Sequence, residues 1–174
     1  NPMPRIPALI AVLTVAAQTS LSMPAHGAEA QYYPLPPGSA PHDVAPAPDG
    51  TVWFTGQRNG FLGRLDPKNG KTEQIPLGPG ASPHGVIVGP DGAAWVTEGG
   101  QNAIARVDPA TKAVKLFPLP KEFPDANLNT ATFDKKGVLW FTGQIGVYGR
   151  VDPASGKVDA WAAPKGRGPY GITT

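Results

Sequence analysis

Pro90-Asp91-Gly92, Trp95-Val96-Thr97 and Arg106-Val107-Asp108-Pro109 follow one another in the middle of the chain, and the same order stands on either side. Upstream it reads Pro48-Asp49-Gly50, Trp53-Phe54-Thr55 and Arg64-Leu65-Asp66-Pro67; downstream, Trp140-Phe141-Thr142 and Arg150-Val151-Asp152-Pro153. The tryptophans are 42 and 45 residues apart, and the Asp-Pro pairs 42 and 44. Each arginine follows a small residue: Gly63, Ala105 or Gly149. A period of roughly 40–45 residues with chain-breaking residues at a fixed phase marks a blade of four strands.

Within one copy the strands can be read directly. His42–Ala47 alternates and stops at Pro48-Asp49-Gly50, Val52–Thr55 is β-branched and aromatic, and Phe61–Leu65 ends at Asp66-Pro67-Lys68-Asn69-Gly70. Proline presets φ in such a turn and glycine supplies the positive φ. Lys71–Leu77 is the fourth strand, and Pro76 marks it as an edge, where a missing N–H does no harm. No segment sustains a 3.6-residue period, so the fold expected is all-β, a propeller of four-stranded blades with essentially no helix.

Composition agrees once the period is seen. Among 174 residues, 22 Gly and 22 Pro would indicate disorder in an aperiodic chain; here they are turns. The absence of cysteine excludes disulfides, thiolate metal sites and a cysteine nucleophile. A net charge of +2 without a basic run excludes nucleic acid as the expected partner.

Residues 1–30 read differently. Arg5 precedes the apolar run from Ile6 to Ala17, and Ala28-Glu29-Ala30 is an A-x-A cleavage pattern. This is the build of a secretory signal peptide, too short for a bilayer-spanning helix of about 20 apolar residues. The expectation is a periplasmic or secreted chain, free of the membrane after cleavage, with a propeller domain over 31–174. Its repeats are 41–82, 83–127 and 128–168, and a fourth starts at 169.

Two ends of the repeat array stand out. Tyr32-Tyr33-Pro34-Leu35-Pro36 matches the fourth-strand segments Gln74–Leu77 and Leu116–Pro120, and Pro169–Thr174 matches a blade's opening. The reading is an outer strand that completes a last blade, three blades, and an inner strand of a fourth. Closed rings need about four blades or more. The chain is therefore expected to be about three and a half blades of a longer propeller, with ring completion by oligomerisation as the other option.

First strands line a propeller's channel, so their opening residues are the candidates for chemistry: His42, His84, Asn129 and Tyr170 share one phase. A second phase just past the second strand carries Gln57, Glu98 and Gln144. Such polar groups can bind a ligand or move a proton, and they suit a hard cation or a polar ligand. The plainer reading is that they satisfy turn backbone; the unchanged arginines and Asp-Pro turns are read as scaffold.

Pro83-His84-Gly85-Val86, Gly89-Pro90-Asp91-Gly92, Trp95-Val96-Thr97-Glu98, Ile104–Pro109 and Phe117-Pro118-Leu119-Pro120 together resemble the virginiamycin B lyase (streptogramin lyase) family over essentially all of 31–174. The resemblance implies a seven-bladed, monomeric propeller that linearises streptogramin B antibiotics by elimination at an ester with Mg²⁺. Its ligand would be a cyclic peptide or other small ester. It also implies a general base and metal ligands from blades toward the C-terminus, so no catalytic or metal-binding residue is assigned here, and this chain alone is expected to be inactive. A non-catalytic propeller that binds a ligand or protein at its channel mouth, and a lactonase-like hydrolase, are the alternatives.

Overall fold

In the computed structural model residues 29–174 are described, and every element among them is a strand. The secretory segment expected at 1–30 lies, but for its last two residues, outside them. The first sheet holds β1 (Pro41–Pro46), β2 (Val52–Gly56), β3 (Phe61–Asp66) and β4 (Lys71–Pro76). The second holds β5 (Pro83–Val88), β6 (Ala94–Glu98), β7 (Ala103–Val107) and β8 (Val114–Pro118). The third holds β9 (Leu128–Phe133), β10 (Leu139–Gly143), β11 (Val147–Val151) and β12 (Val158–Ala162). Each is an antiparallel meander in chain order, the arrangement of a propeller blade.

The turns follow from the residues that punctuate each copy. Gly50, Gly92 and Gly137 stand at φ of 84°, 76° and 78° between the first two strands, where a side chain would be strained. In the Asp-Pro turns the carboxylate accepts the amide two residues on: Lys68 at 2.9 Å, Ala110 at 3.0 Å and Ala154 at 3.0 Å. The scaffold reading of the arginines holds too. Arg64 lies over Trp53 at 4.9 Å and donates to the Pro109 carbonyl of the next sheet at 3.2 Å; Arg106 pairs with Asp91 at 2.7 Å.

The sheets stack through unlike faces. Trp53, Leu62, Ile75 and Leu77 of the first pack on Val86, Ala94, Val96, Ala105 and Val107 of the second. Trp95, Ile104 and Phe117 of the second pack on Leu128, Leu139, Phe141 and Val151 of the third. Trp53 and Trp95 are accordingly 1% exposed. Trp140 occupies the same place in its sheet but points away from the second sheet, and no sheet among the described residues covers it. It is half-buried beside Trp161 and Arg150 instead.

The small residue before each arginine has a packing cause. Gly63 and Gly149 sit directly across from Phe54 and Phe141, whose rings lie over them. A Cβ at 149 would come 2.3 Å from Phe141 Cζ and 2.6 Å from the Asp159 carbonyl oxygen. In the second sheet the pair is Val96 and Ala105, a smaller side chain over a larger one.

Neither expected partial strand is formed as a strand among the described residues. Residues 32–36 pair with no sheet, and Tyr33 uses its hydroxyl on the Pro67 carbonyl at 2.9 Å. Residues 169–174 form no strand either, since no second strand pairs with them. They run beside β9 nonetheless, with Thr174 Oγ1 donating to the Phe133 carbonyl at 2.9 Å.

Gly149→Ala overpacks this contact, at a cost of about 1–3 kcal/mol. Thermal melting followed by circular dichroism is expected to show a clearly lower midpoint for this variant. Gly171→Ala meets nothing within 4 Å and is expected to leave the midpoint in place.

Candidate functional site

The inner strands are where neighbouring sheets come together, β1 against β5 and β5 against β9. At the head of each the ladder skips a step. Between the pairs Pro41↔Gly56 and Val44↔Phe54, His42 and Asp43 oppose Thr55 alone. His84 and Gly85 oppose Thr97 in the same way, and Asn129 and Thr130 oppose Thr142. Two residues against one is a β-bulge, which re-aims side chains and leaves a backbone amide without a ladder partner. Three of the four first-phase candidates are therefore bulge residues.

The opposing threonine satisfies that amide. Thr55 Oγ1 accepts from Asp43 N at 3.0 Å, Thr97 Oγ1 from Gly85 N at 2.8 Å and Thr142 Oγ1 from Thr130 N at 3.3 Å. Each hydroxyl then donates onward to the neighbouring segment: to the carbonyl of His84 at 2.9 Å, of Asn129 at 2.6 Å and of Tyr170 at 2.6 Å. Tyr170 thus takes the same bond as His84 and Asn129 although it lies in no strand, and it is 61% exposed.

The side chains meet in a row. The His42 and His84 rings are 4.0 Å apart between centroids and tilted by 47°. Asn129 Nδ2 is 3.3 Å from His84 Nε2, and Thr130 Oγ1 donates to Asn129 Oδ1 at 2.8 Å. With the Asn129 NH₂ toward His84, Nε2 is its acceptor and the other ring nitrogen is left to carry the proton in the neutral form. Burial, then the neighbouring His42, pull the His84 pKa below its ordinary 6.5; Asn129 and Asp43 act the other way. His84 is thereby held toward its neutral form; His42 is exposed, and Asn129 is buried.

Asp43 and Gly85 complete the junction. Asp43 Oδ2 accepts from Val86 N at 3.0 Å, tying the first sheet's inner strand to the second's. A Cβ on Gly85 would meet the Asn129 carbonyl oxygen at 2.8 Å, Thr97 Oγ1 at 3.0 Å and Asp43 Oδ2 at 3.4 Å. Only glycine lets three sheets approach so closely there.

The second phase comes out differently. Glu98 pairs with Pro83 as Gly56 pairs with Pro41 and Gly143 with Leu128, so it does not share a register with Gln57 and Gln144. Those two match Gly99 instead: the amides of Gln57, Gly99 and Gln144 donate to Ala40, Ser82 and Asn127 at 3.2, 3.2 and 3.0 Å. Gln57 and Gln144 are half-buried at these turns. Glu98 is fully buried, and its Oε1 accepts from Ser82 N at 2.5 Å and Gly100 N at 3.1 Å. It is a backbone cap rather than a ligand-facing carboxylate. Its Oε2 is buried without a partner, and burial raises its pKa against the pull of those amides.

These donors do not fit Mg²⁺, which takes carboxylate and water oxygens. The rim offers imidazole and amide, the Asp43 carboxylate holds an amide, and Glu98 is turned inward. Among the described residues no three His, Asp or Glu stand together to hold a metal ion.

A family model described as the virginiamycin B lyase family matches residues 11–174. The chain belongs to the virginiamycin B lyase family. Among solved structures it is similar to a catalytically inactive His-to-Ala virginiamycin B lyase from Staphylococcus aureus with quinupristin, at 30% identity and a TM-score of 0.68. That match covers 74% of this chain and 43% of the other. The selenomethionine form of the Staphylococcus aureus lyase gives 32% identity, a TM-score of 0.69, and coverage of 76% and 44%. Hydrazine synthase of Kuenenia stuttgartiensis shares the fold at 15% identity and a TM-score of 0.62, covering 82% of this chain and 41% of the other. No curated protein sequence matches the chain. The chain thus spans less than half the length of the virginiamycin B lyases it resembles. Missed at the sequence level were Asp43, Gly85 and the threonines; the signal available was the threonine standing two residues after every repeat tryptophan.

Because His84 resists protonation in the fold, the unfolded chain binds more protons just below pH 6.5. Its stabilising contribution is whole above pH 6.5 and declines as pH falls toward the folded value. Glu98 acts with the opposite sign: its contribution is whole below its ordinary 4.5 and is lost as pH rises through the folded value. In denaturant melts from pH 7 to 5.5 the parent is expected to lose stability relative to His84→Gln as pH falls, the Glu98 contribution being common to both.

Proposed function

We propose that this chain supplies ligand-facing residues of a streptogramin-lyase-type propeller, exported from the cytoplasm, and that its ligand is a cyclic depsipeptide or related small ester. The observation that carries this is the row His42–His84–Asn129 on three adjacent inner strands, continued by Tyr170 at the next position. A similar fold at 30% identity is described with quinupristin bound, which supports a ligand of that class.

The chemistry of the row suits an ester and its flanking amides. His42 and the Tyr170 phenol are exposed donors and acceptors, and the His84 imidazole, with one N–H and one acceptor nitrogen when neutral, stands beside them. In the lyase reading a divalent ion would supply Lewis acidity and would be held by residues other than these, whose imidazole, amide and phenol groups do not fit it. The bond-breaking step belongs in this reading to a whole propeller, and these residues bind and orient. A non-catalytic binder is favoured by one specific observation: both nearby carboxylates, Asp43 and Glu98, are engaged by backbone amides. The same engagement weighs against a lactonase-like centre, which would need them around an ion.

Incubation of the protein with quinupristin, Mg²⁺ and then a chelator separates the readings by mass spectrometry. Elimination gives a ring-opened product of unchanged mass, suppressed by the chelator; hydrolysis adds one water. Binding without turnover selects the binder, and His42→Ala is then expected to weaken quinupristin binding several-fold in calorimetry. Absence of both turnover and binding sinks the proposal.

A further inference from the structure

His84 carbonyl and Gly85 N–H are the two ends of one peptide group, and so are Asn129 carbonyl and Thr130 N–H. The hydroxyl bonds therefore join into a single line. Asp43 N–H donates to Thr55, Thr55 to the His84–Gly85 peptide, that peptide to Thr97, Thr97 to the Asn129–Thr130 peptide, that peptide to Thr142, and Thr142 to Tyr170. Every hydroxyl accepts once and donates once, all in the same sense. Thr97 has a second acceptor, the Gly85 carbonyl of its own sheet at 3.5 Å, yet lies 2.6 Å from the Asn129 carbonyl in the next.

We propose that Thr55 and Thr97 are positioning residues of the rim: each hydroxyl holds the next sheet's rim residue by its backbone carbonyl, so that each sheet sets the placement of the side chain beyond it. This concerns where His84 and Asn129 stand, and it holds whichever ligand the rim takes.

Two observations and a general property of hydrogen-bond chains carry it. Thr55 and Thr97 are 0% and 1% exposed, so water does not compete for their hydroxyls. The bulge leaves the amides of Asp43 and Gly85 without a ladder partner, so removal of a hydroxyl strands an N–H and a carbonyl together. Chains of aligned hydrogen bonds polarise one another, so a break at one link is felt at the next. Valine has threonine's shape and equal liking for a strand, which makes the hydroxyl itself the function of the position.

The side chains facing His84 are His42 and Asp43 from β1 and Asn129 from β9, so its titration reports their arrangement. The experiment compares parent, Thr97→Val and Thr97→Ser by amide exchange and by NMR titration of the His84 ring. In the valine variant the Gly85 amide is expected to exchange about tenfold faster, the loss of one ordinary hydrogen bond. The His84 midpoint is expected to rise toward 6.5 as water enters and relieves the burial that is the largest cause of its lowering. Serine is expected to restore both. A valine variant that melts lower but keeps the parent's His84 midpoint overturns the proposal, for its hydroxyl then supports the fold alone. Should that variant fail to fold, the parent decides: slow exchange at the Asp43 and Gly85 amides upholds the proposal, and exchange at the rate of open turns overturns it.

Discussion

A buried backbone N–H must find an acceptor, and the inner strands of this protein break their own ladders where the rim residues stand. The threonine hydroxyl answers that demand and imposes the rest. It alone among small side chains of strand-forming shape can accept from one sheet and donate to another. Because the bulge opens the ladder at His42, His84 and Asn129, the repair runs through the same peptides that carry those side chains. The joint between blades and the row of polar groups are therefore one structure.

The apolar packing acts around this line and sets its scale. Trp53 closes the first interface on small or branched partners, Trp95 closes the second with the edge of Phe133 against it, and Phe54 and Phe141 find room only because glycine lies opposite. These contacts are tight but tolerant in direction, since burial is roughly proportional to area and indifferent to angle. Hydrogen bonds at 2.6–2.9 Å are not indifferent to angle. The division of labour is physical: the tryptophan faces hold sheets together, and the hydroxyls fix how one inner strand sits beside the next.

The blades were legible because their punctuation is local. Pro-Asp-Gly and Asp-Pro turns work through residues two or three apart, and a period near 43 shows in any chain that repeats them. The row His42, His84, Asn129 and Tyr170 was legible for the same reason, as one position counted four times. What failed depended on pairing across strands. Glu98 was aligned with Gln57 and Gln144, whereas counting from the tryptophans puts it with Gly56 and Gly143, one residue earlier and on the inward side. A shift of one residue moves a side chain to the opposite face. The bulge was illegible because it exists only as a mismatch between two strands, and the exposure of Trp140 because burial belongs to a neighbouring sheet.

The fate of the carboxylates decides what kind of surface this is. Asp43 and Glu98 both lie close to the rim, and both accept backbone amides at sheet junctions. One oxygen of each is thereby taken by the backbone, and the other oxygen of Glu98 is buried. His84, pressed by burial and by His42, is held toward its neutral form beside Asn129. What remains facing outward is a row of imidazole, amide and phenol groups, exposed at His42 and Tyr170 and braced behind by buried hydroxyls. Such groups hydrogen-bond carbonyls and amides, the chemistry that the proposed ligand class presents. Its precision comes from the Thr55–Thr97–Thr142 line, because a neutral hydrogen bond gains little unless its partner is already aimed.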